Sequence, residues 1–460
     1  MDEREPIIVG EYESIPIGSA STRGCLTREE AETLVYDLRK QFGCKNPSEW
    51  FRMRRDSVIA GGWVGVLTLP GIQVSVYPKI ETHVDAEQTE AKAAPKADLL
   101  LMLMGAGFID LDPKDASKLA SQDSFIDHLA QLYNRRLGRE LTRGLPHDYV
   151  ERRGLLGTLR GQIDFPAQVL AEAQGTPALA CVYDSFESDT RVNRILKAGL
   201  KAARRLCRGT QLRKKLRQTE MLLGEVADVE VSAKDVERQL LRLRRNESHL
   251  RPLLKWAQLF LASRSIDIRG DNNGQRGAGL MFRMWEVYEK YALNKLNETL
   301  AVIGGKAGCT LDAVGQIREW HLASFSDGPE RTPAFQLKPD ILIRKNGVPI
   351  LIADTKWKTL DDEEDSNLRT LGVHQADAYQ LFAYSQIITP AGQSPLPLAL
   401  LYPTPGEYTE TACNPDSPLG HLGEPERTFY LDAHDPHPVE LRILRFPLPT
   451  IRPCVLMGYP

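Results

Sequence analysis

The tightest constraint on this chain is a pair of apolar, β-branched runs, Lys338-Pro339-Asp340-Ile341-Leu342-Ile343 and Ile350-Leu351-Ile352-Ala353-Asp354-Thr355-Lys356, separated by Asn346-Gly347. Such runs on either side of a two-residue Asn-Gly turn read as a β-hairpin. Antiparallel pairing about that turn sets Asp340, at the head of the first strand, beside Asp354, at the tail of the second. Two neighbouring carboxylates repel unless a cation lies between them. Mg²⁺ takes oxygen ligands from one or two carboxylates, water and substrate phosphate, so it suits this pair, with Mn²⁺ as the alternative ion. Lys356 lies two residues beyond Asp354 and shares its face of the strand. Its ammonium could there orient an attacking water and offset charge developing on a phosphate. The intervening Thr355 is expected to face the other way. An ordinary solvated hairpin carries the same residues, so the flanking segments have to decide.

Both flanks carry suitable groups. Upstream, Met281, Trp285, Tyr288, Ala292 and Leu296 recur at steps of three and four, the pattern of an amphipathic helix. That helix holds Glu286 and Glu289, and Glu289 follows the buried-looking Tyr288 and could give the metal site a third carboxylate. Solvated helix residues are the plain alternative for both. Downstream, residues 374–384 read as a second helix with Gln380 and Tyr384 four apart on one face. This pair could hydrogen-bond a DNA phosphate or hold the lysine, or simply form a helix flank.

A helix Glu, Pro-Asp, Asp-x-Lys and Gln-x-x-x-Tyr in this order resemble the PD-(D/E)XK nuclease superfamily. Residues 282–291, Asp354-Thr355-Lys356-Trp357 and Asp377-x-Tyr379-Gln380 are more specifically similar to McrC, the nuclease subunit family of McrBC modification-dependent restriction systems. Gly62-Trp63-Val64-Gly65-Val66 and Val76-Tyr77-Pro78-Lys79-Ile80 look like that family's amino-terminal strands. Leu159-Arg160-Gly161 and the segment from Asp184 through Phe186, Asp189 and Asn193 to Leu196 look like its central motifs. The resemblance runs from about Glu11 to Tyr402. It implies a restriction-endonuclease-like C-terminal domain with catalytic Asp340, Asp354, Lys356, Glu289, Gln380 and Tyr384, of which the three acids hold the metal. It also implies double-stranded DNA as substrate and a separate hexameric AAA+ GTPase of McrB type that recognises modified DNA and is stimulated by this chain. Two nuclease subunits would pair to cut both strands.

Composition is consistent with such a protein without pointing to it. Across 460 residues the net charge is −3, so contact with DNA has to come from local basic patches. The acidic amino terminus lacks an apolar targeting core, and the longest apolar run, residues 97–109, is too short to span a bilayer. A cytoplasmic, membrane-free protein is expected. Its 7 cysteines are scattered without a Cys-x-x-Cys pair, which argues against zinc ribbons, disulfide scaffolds and iron–sulfur clusters. No histidine pair has metal-ligand spacing, so His321 and His374 are not taken as ligands. Gly304-Gly305-Lys306-Ala307 lacks the earlier glycine and the Ser or Thr of a phosphate-binding loop, so no nucleotide is expected on this chain.

Periodicity divides the chain into three parts, giving a multidomain α/β (α+β) protein. Residues 1–95 read as a small β-rich module, with a helix near 28–42 and a polar linker at 86–96. Residues 96–268 read as mainly helical and partner-docking, with helices at 99–104, 125–141, 190–207 and 236–261. Residues 269–460, entered through a Gly/Asn-rich loop, read as the nuclease domain with a mixed central sheet and a Pro-rich extension. Strands are expected at 398–402, 428–431 and 439–444. Lys201, Arg204, Arg205, Arg208, Arg213, Lys214, Lys215 and Arg217 form a dense basic cluster, which suits DNA phosphate, an acidic partner or plain solvation. The acidic run at 361–365 reads as a solvated loop that could repel DNA until a partner moves it.

Overall fold

The structure, a computed structural model, describes residues 4–69, 71–79, 94–109, 125–207, 209–262, 264–266, 277–326, 331–358, 360, 371–390, 392–404, 425–432 and 438–449. The chain forms two compact units: Met1–Asp123 with Ile266–Gly277 and Met281–Pro460, and Ser124–Ser265 with Ala278–Leu280.

The first unit begins with β1 (Ile7–Gly10) and a hairpin of β2 (Trp63–Leu69) and β3 (Ile72–Tyr77). Strand β3 runs antiparallel to β2 and parallel to β1. All of β3 and nearly all of β2 is buried, which explains their unbroken apolar character: with both faces covered, no polar alternation is needed. The helix expected near 28–42 is present, interrupted by a π-helical turn at Thr33–Asp37. Thr27 and Glu30 close its start as a capping box, satisfying two N–H groups the helix leaves open. Helix α1 (Ala94–Gly105) takes in the last residues of the expected linker. At Gly105 any Cβ would lie 2.4 Å from the Tyr291 ring, so only glycine lets these segments meet.

In the second unit the chain forms α2 (Phe125–Arg143), β4 (Asp148–Leu156), β5 (Gln162–Ile163), β6 (Leu179–Glu187), α3 (Arg191–Leu206), α4 (Thr210–Met221) and α5 (Arg251–Ala262). Helices fall where expected at 125–141 and 190–207. The single helix expected at 236–261 is instead split into Ala233–Leu241, a 3₁₀ segment Arg245–Leu250 and α5. The sheet of β4, β6 and β5 within this otherwise helical stretch was not expected. Strand β4 pairs with β6 over nine positions, from Asp148↔Glu187 to Leu156↔Leu179. Its side chains are exposed or half-buried throughout, so it lacks the apolar alternation by which a strand is read.

The chain then completes the first unit with α6 (Met284–Ala307), β7 (Leu311–Gly315), β8 (Ile341–Lys345), β9 (Val348–Thr355), α7 (Gln375–Ile388), β10 (Leu398–Thr404), β11 (Arg427–Leu431) and β12 (Val439–Pro447). The sheet order is β7-β8-β9-β10-β12-β11. Strands β7, β8 and β9 pair antiparallel, β9, β10 and β12 parallel, and β11 antiparallel to β12. The sheet is therefore mixed, as the sequence implied, and all three expected late strands are present. Parallel pairing of β9 with β10 requires a crossover, which α7 supplies by packing Leu381, Tyr384 and Ile388 onto Leu342, Ile352 and Leu400. Ile341, Leu342 and Ile343 are all essentially buried, the mark of a strand covered on both faces. The loop at 269–276 and the acidic run at 361–365 lie outside the described residues, as does Arg208.

Candidate active site

The hairpin forms about the expected turn, with a β-bulge between Ile343 and Arg344 that shifts its register by one residue. Asn346 and Gly347 have φ of 50° and 82°, the left-handed pair that a tight two-residue turn requires. Ile341 pairs with Ala353, so the next step outward sets Asp340 opposite Asp354. Lys356 continues past β9, its N–H donating to the Leu401 carbonyl at 2.9 Å.

Asp354 is 4% exposed, and its Oδ2 lies 2.7 Å from Lys356 Nζ. The same ammonium lies 3.0 Å from Asp377 Oδ1 in the first turn of α7. Burial and the neighbouring Asp340 charge push the Asp354 carboxyl up to about 6, against the pull of Lys356. Burial works against the charge on Lys356, but Asp354 and Asp377 outweigh it and raise its pKa.

Thr355 has a role the sequence did not suggest: it donates from both its backbone N–H and its hydroxyl to Asp340 Oδ2, each at 2.9 Å. Asp340 has left regular pairing just before β8, which lets its side chain reach across to the end of β9. Among the described residues, these bonds fall on Oδ2 and none on Oδ1.

Glu289, on α6, is half-buried. Burial first, and then the Asp340 charge, push it up to about 7, opposed by a hydrogen bond from Gln316. Gln316 donates its side-chain amide to Glu289 Oε1 at 2.6 Å and its backbone N–H to the Asp340 carbonyl at 3.3 Å. It does so from a φ of 50°, a conformation a non-glycine residue holds only when its surroundings enforce it. Glu286, the other candidate acid on α6, is exposed and ion-paired to Arg283 at 2.7 Å. Glu289 is thus the glutamate on which the Asp340 charge acts.

Gln380 and Tyr384 are brought together, but not onto the lysine. Gln380 Nε2 donates to the Tyr384 hydroxyl at 2.7 Å, and that hydroxyl donates to the Lys338 carbonyl at 3.2 Å. The lysine is held by Asp377, which the sequence contained only as an unassigned member of the Asp377-x-Tyr379-Gln380 segment. Neither Asp377 nor Gln316 could be picked out by spacing, because each reaches its partner through the fold.

Among the described residues, no three His, Cys, Asp or Glu side chains converge as a closed metal cluster. The donors present still suit a hard cation: Asp340 raises both the buried Asp354 carboxyl and Glu289, and all three offer carboxylate oxygens. Water and phosphate oxygens would complete such a shell.

The basic cluster is partly neutralised. Lys201 lies 3.1 Å from Asp228 and Arg204 lies 3.2 Å from Glu220. Arg205, Arg213, Lys214, Lys215 and Arg217 are exposed.

The family described as McrBC 5-methylcytosine restriction system component matches residues 58–403, three quarters of the chain and all of the acids above. The chain belongs to this McrBC family. Its fold is similar to that of a chain in the Thermococcus gammatolerans assembly of McrB AAA+ hexamers with bound McrC, with a TM-score of 0.62 at 16% identity, covering 99% of this chain and 96% of that one. A second structure, the Thermococcus gammatolerans McrBC complex, is similar with a TM-score of 0.49 at 17% identity over 64% of this chain and 88% of that one. No curated protein sequence matches. Among the described residues of this McrBC component, no helix is long and apolar enough to cross a membrane.

Proposed function

We propose that this McrBC component is the DNA-cutting subunit of its system: a Mg²⁺-dependent endodeoxyribonuclease of PD-(D/E)XK type, acting in the cytoplasm. In this reading it docks on and stimulates an AAA+ GTPase of McrB type, which recognises modified cytosine. The reading rests above all on Asp340, whose charge acts on both Asp354 and Glu289, beside the Asp354–Lys356 pair at the end of β9. Asp340, Asp354 and Glu289 would hold the ion, which when bound supplies charge stabilisation to the phosphate and a more acidic water.

The chain's own groups have distinct tasks. Thr355 fixes Asp340 by two hydrogen bonds, and Gln316 fixes Glu289. Asp377 shares the Lys356 ammonium with Asp354, so the lysine keeps an anchor when Asp354 turns to another cation. The ammonium has three donors; two anchors leave one for a water or a phosphate oxygen. Gln380 is exposed and can reach a DNA phosphate from its place beside Tyr384.

Residues 269–460 carry the chemistry in this proposal, and 96–268 dock the partner. Tyr149, Phe165, Phe186 and Leu241 of that central region are 71%, 73%, 59% and 85% exposed. Large apolar side chains in such number support a covered surface. The cleavage test uses the chain with a McrB-type GTPase, GTP, Mg²⁺ and methylated duplex DNA. Cutting that needs every component supports the reading, cutting by the chain alone makes it a self-sufficient nuclease, and GTPase stimulation without cutting makes it an activator.

A further inference from the structure

One buried acid outside the catalytic set remains without a task. Glu11 follows β1 and is 0% exposed. Its backbone N–H donates to the Tyr77 carbonyl at 2.9 Å, fixing its place at the end of β3. Its Oε2 accepts the Lys79 backbone N–H at 3.2 Å and the Trp357 indole N–H at 2.9 Å. Its Oε1 is buried without a hydrogen-bond partner among the described residues.

Burying a carboxylate with one bare oxygen is costly, and a leucine of similar size would avoid that cost if the position served packing alone. The partner shows what the acid reaches. Trp357 is the residue after Lys356, and its ring packs on Tyr288, with centroids 5.4 Å apart. Tyr288 is fully buried and precedes Glu289 on α6. A single chain of contacts therefore runs from Glu11 through Trp357 to Tyr288, and it flanks two site residues carried by different elements. Those elements, the end of β9 and the start of α6, are otherwise far apart in sequence.

We propose that Glu11, acting through Trp357, is a positioning residue of the nuclease site, holding the strand end that carries Lys356 and the helix face that carries Glu289 in one frame. The inference rests on the nuclease reading above and adds that residues 1–95 are part of the active-site scaffold. Glu11 touches no reacting atom. Its effect falls on the placement of Lys356 and Glu289, and so on turnover and metal binding.

The test uses the full chain with its GTPase partner. Trp357→Phe keeps a ring against Tyr288 and removes the N–H donor, so it is the milder variant should Glu11→Leu fail to fold. Glu11→Gln keeps an oxygen acceptor for the indole. Trp357→Phe and Glu11→Leu are expected to lower kcat for cleavage about tenfold and to weaken Mg²⁺ binding by a similar factor in calorimetry on the purified chain. KM for DNA and GTPase stimulation are expected to stay within about twofold, Glu11→Gln to remain near wild type, and the double variant to fall no further than the worse single one. Variants that melt earlier but keep wild-type kcat and Mg²⁺ affinity would reduce Glu11 to packing and overturn the inference while leaving the nuclease reading intact. A wild-type chain that neither binds Mg²⁺ nor cuts would remove both.

Discussion

Asp340 divides its carboxylate between two tasks: Oδ2 is taken by Thr355, and its charge raises both Glu289 and Asp354. The acids at about 7 and about 6 are protonated to a large extent in mildly acidic solution, and a cation must displace those protons. Mg²⁺ affinity of the chain is therefore expected to rise with pH, by about tenfold between about pH 6 and pH 8, with proton release on binding. Calorimetry in buffers of different ionisation enthalpy checks this, and an affinity independent of pH would contradict it.

Glu11 offers a second pH signature, separate from cleavage. Its carboxyl is pushed from 4.5 to about 7, first by burial, against hydrogen bonds from Trp357 and Lys79. A carboxyl raised in the folded state binds more protons there than when unfolded. Its contribution is fully present below about 4.5 and is lost as pH rises through about 7. Relative to wild type, Glu11→Gln should therefore gain up to about 3 kcal/mol in stability between about pH 5 and pH 8, read from urea melts. Asp340, Asp354 and Lys356 were legible as members of one hairpin from the apolar runs and the turn, but the bulge between Ile343 and Arg344 that sets Asp340 opposite Asp354 was not. The Thr355 bonds to Asp340 were not legible, because Asp340 reaches across from outside the ladder, a departure that alternation cannot register.

Among elements, the β8–β9 hairpin depends on its turn. Gly347→Val puts a β-branched residue at a φ of 82° and should cost about 1–3 kcal/mol in chemical denaturation. Because β9 carries Asp354 and Thr355, a loss much beyond this range would signal that the register itself has moved. The hairpin, α6, α7 and the late strands were readable from apolar runs and helical spacing. The β4–β6 sheet was not, since β4 buries no residue and β6 only Ala180 and Cys181, too few to leave a period to read. The break before α5 was equally hidden, because a 3₁₀ segment keeps nearly the same apolar spacing as the helix it interrupts.

For the whole molecule, the sequence divides into three parts, yet residues 1–123 and most of 266–460 fall in one compact unit. Glu11 and Trp357, 346 positions apart, show why: a long-range hydrogen bond leaves no mark on composition or periodicity. Family membership likewise rests on features spread over residues 58–403 rather than on the hairpin alone. The exposed aromatics of the second unit carry their own expectation. Tyr149→Asp and Phe186→Asp should weaken association with the GTPase, by about 1–3 kcal/mol each in a binding titration, without lowering Mg²⁺ affinity. Unchanged association would move the docking surface elsewhere.

The measurement that bears most directly on the site is cleavage of methylated duplex DNA by wild-type chain and Asp354→Ala, each with GTPase partner, GTP and Mg²⁺. Wild type is expected to cut, while Asp354→Ala binds the partner and stimulates GTP hydrolysis as well as wild type does but leaves the DNA intact. An Asp354→Ala chain that still cuts would contradict the assignment of the active site.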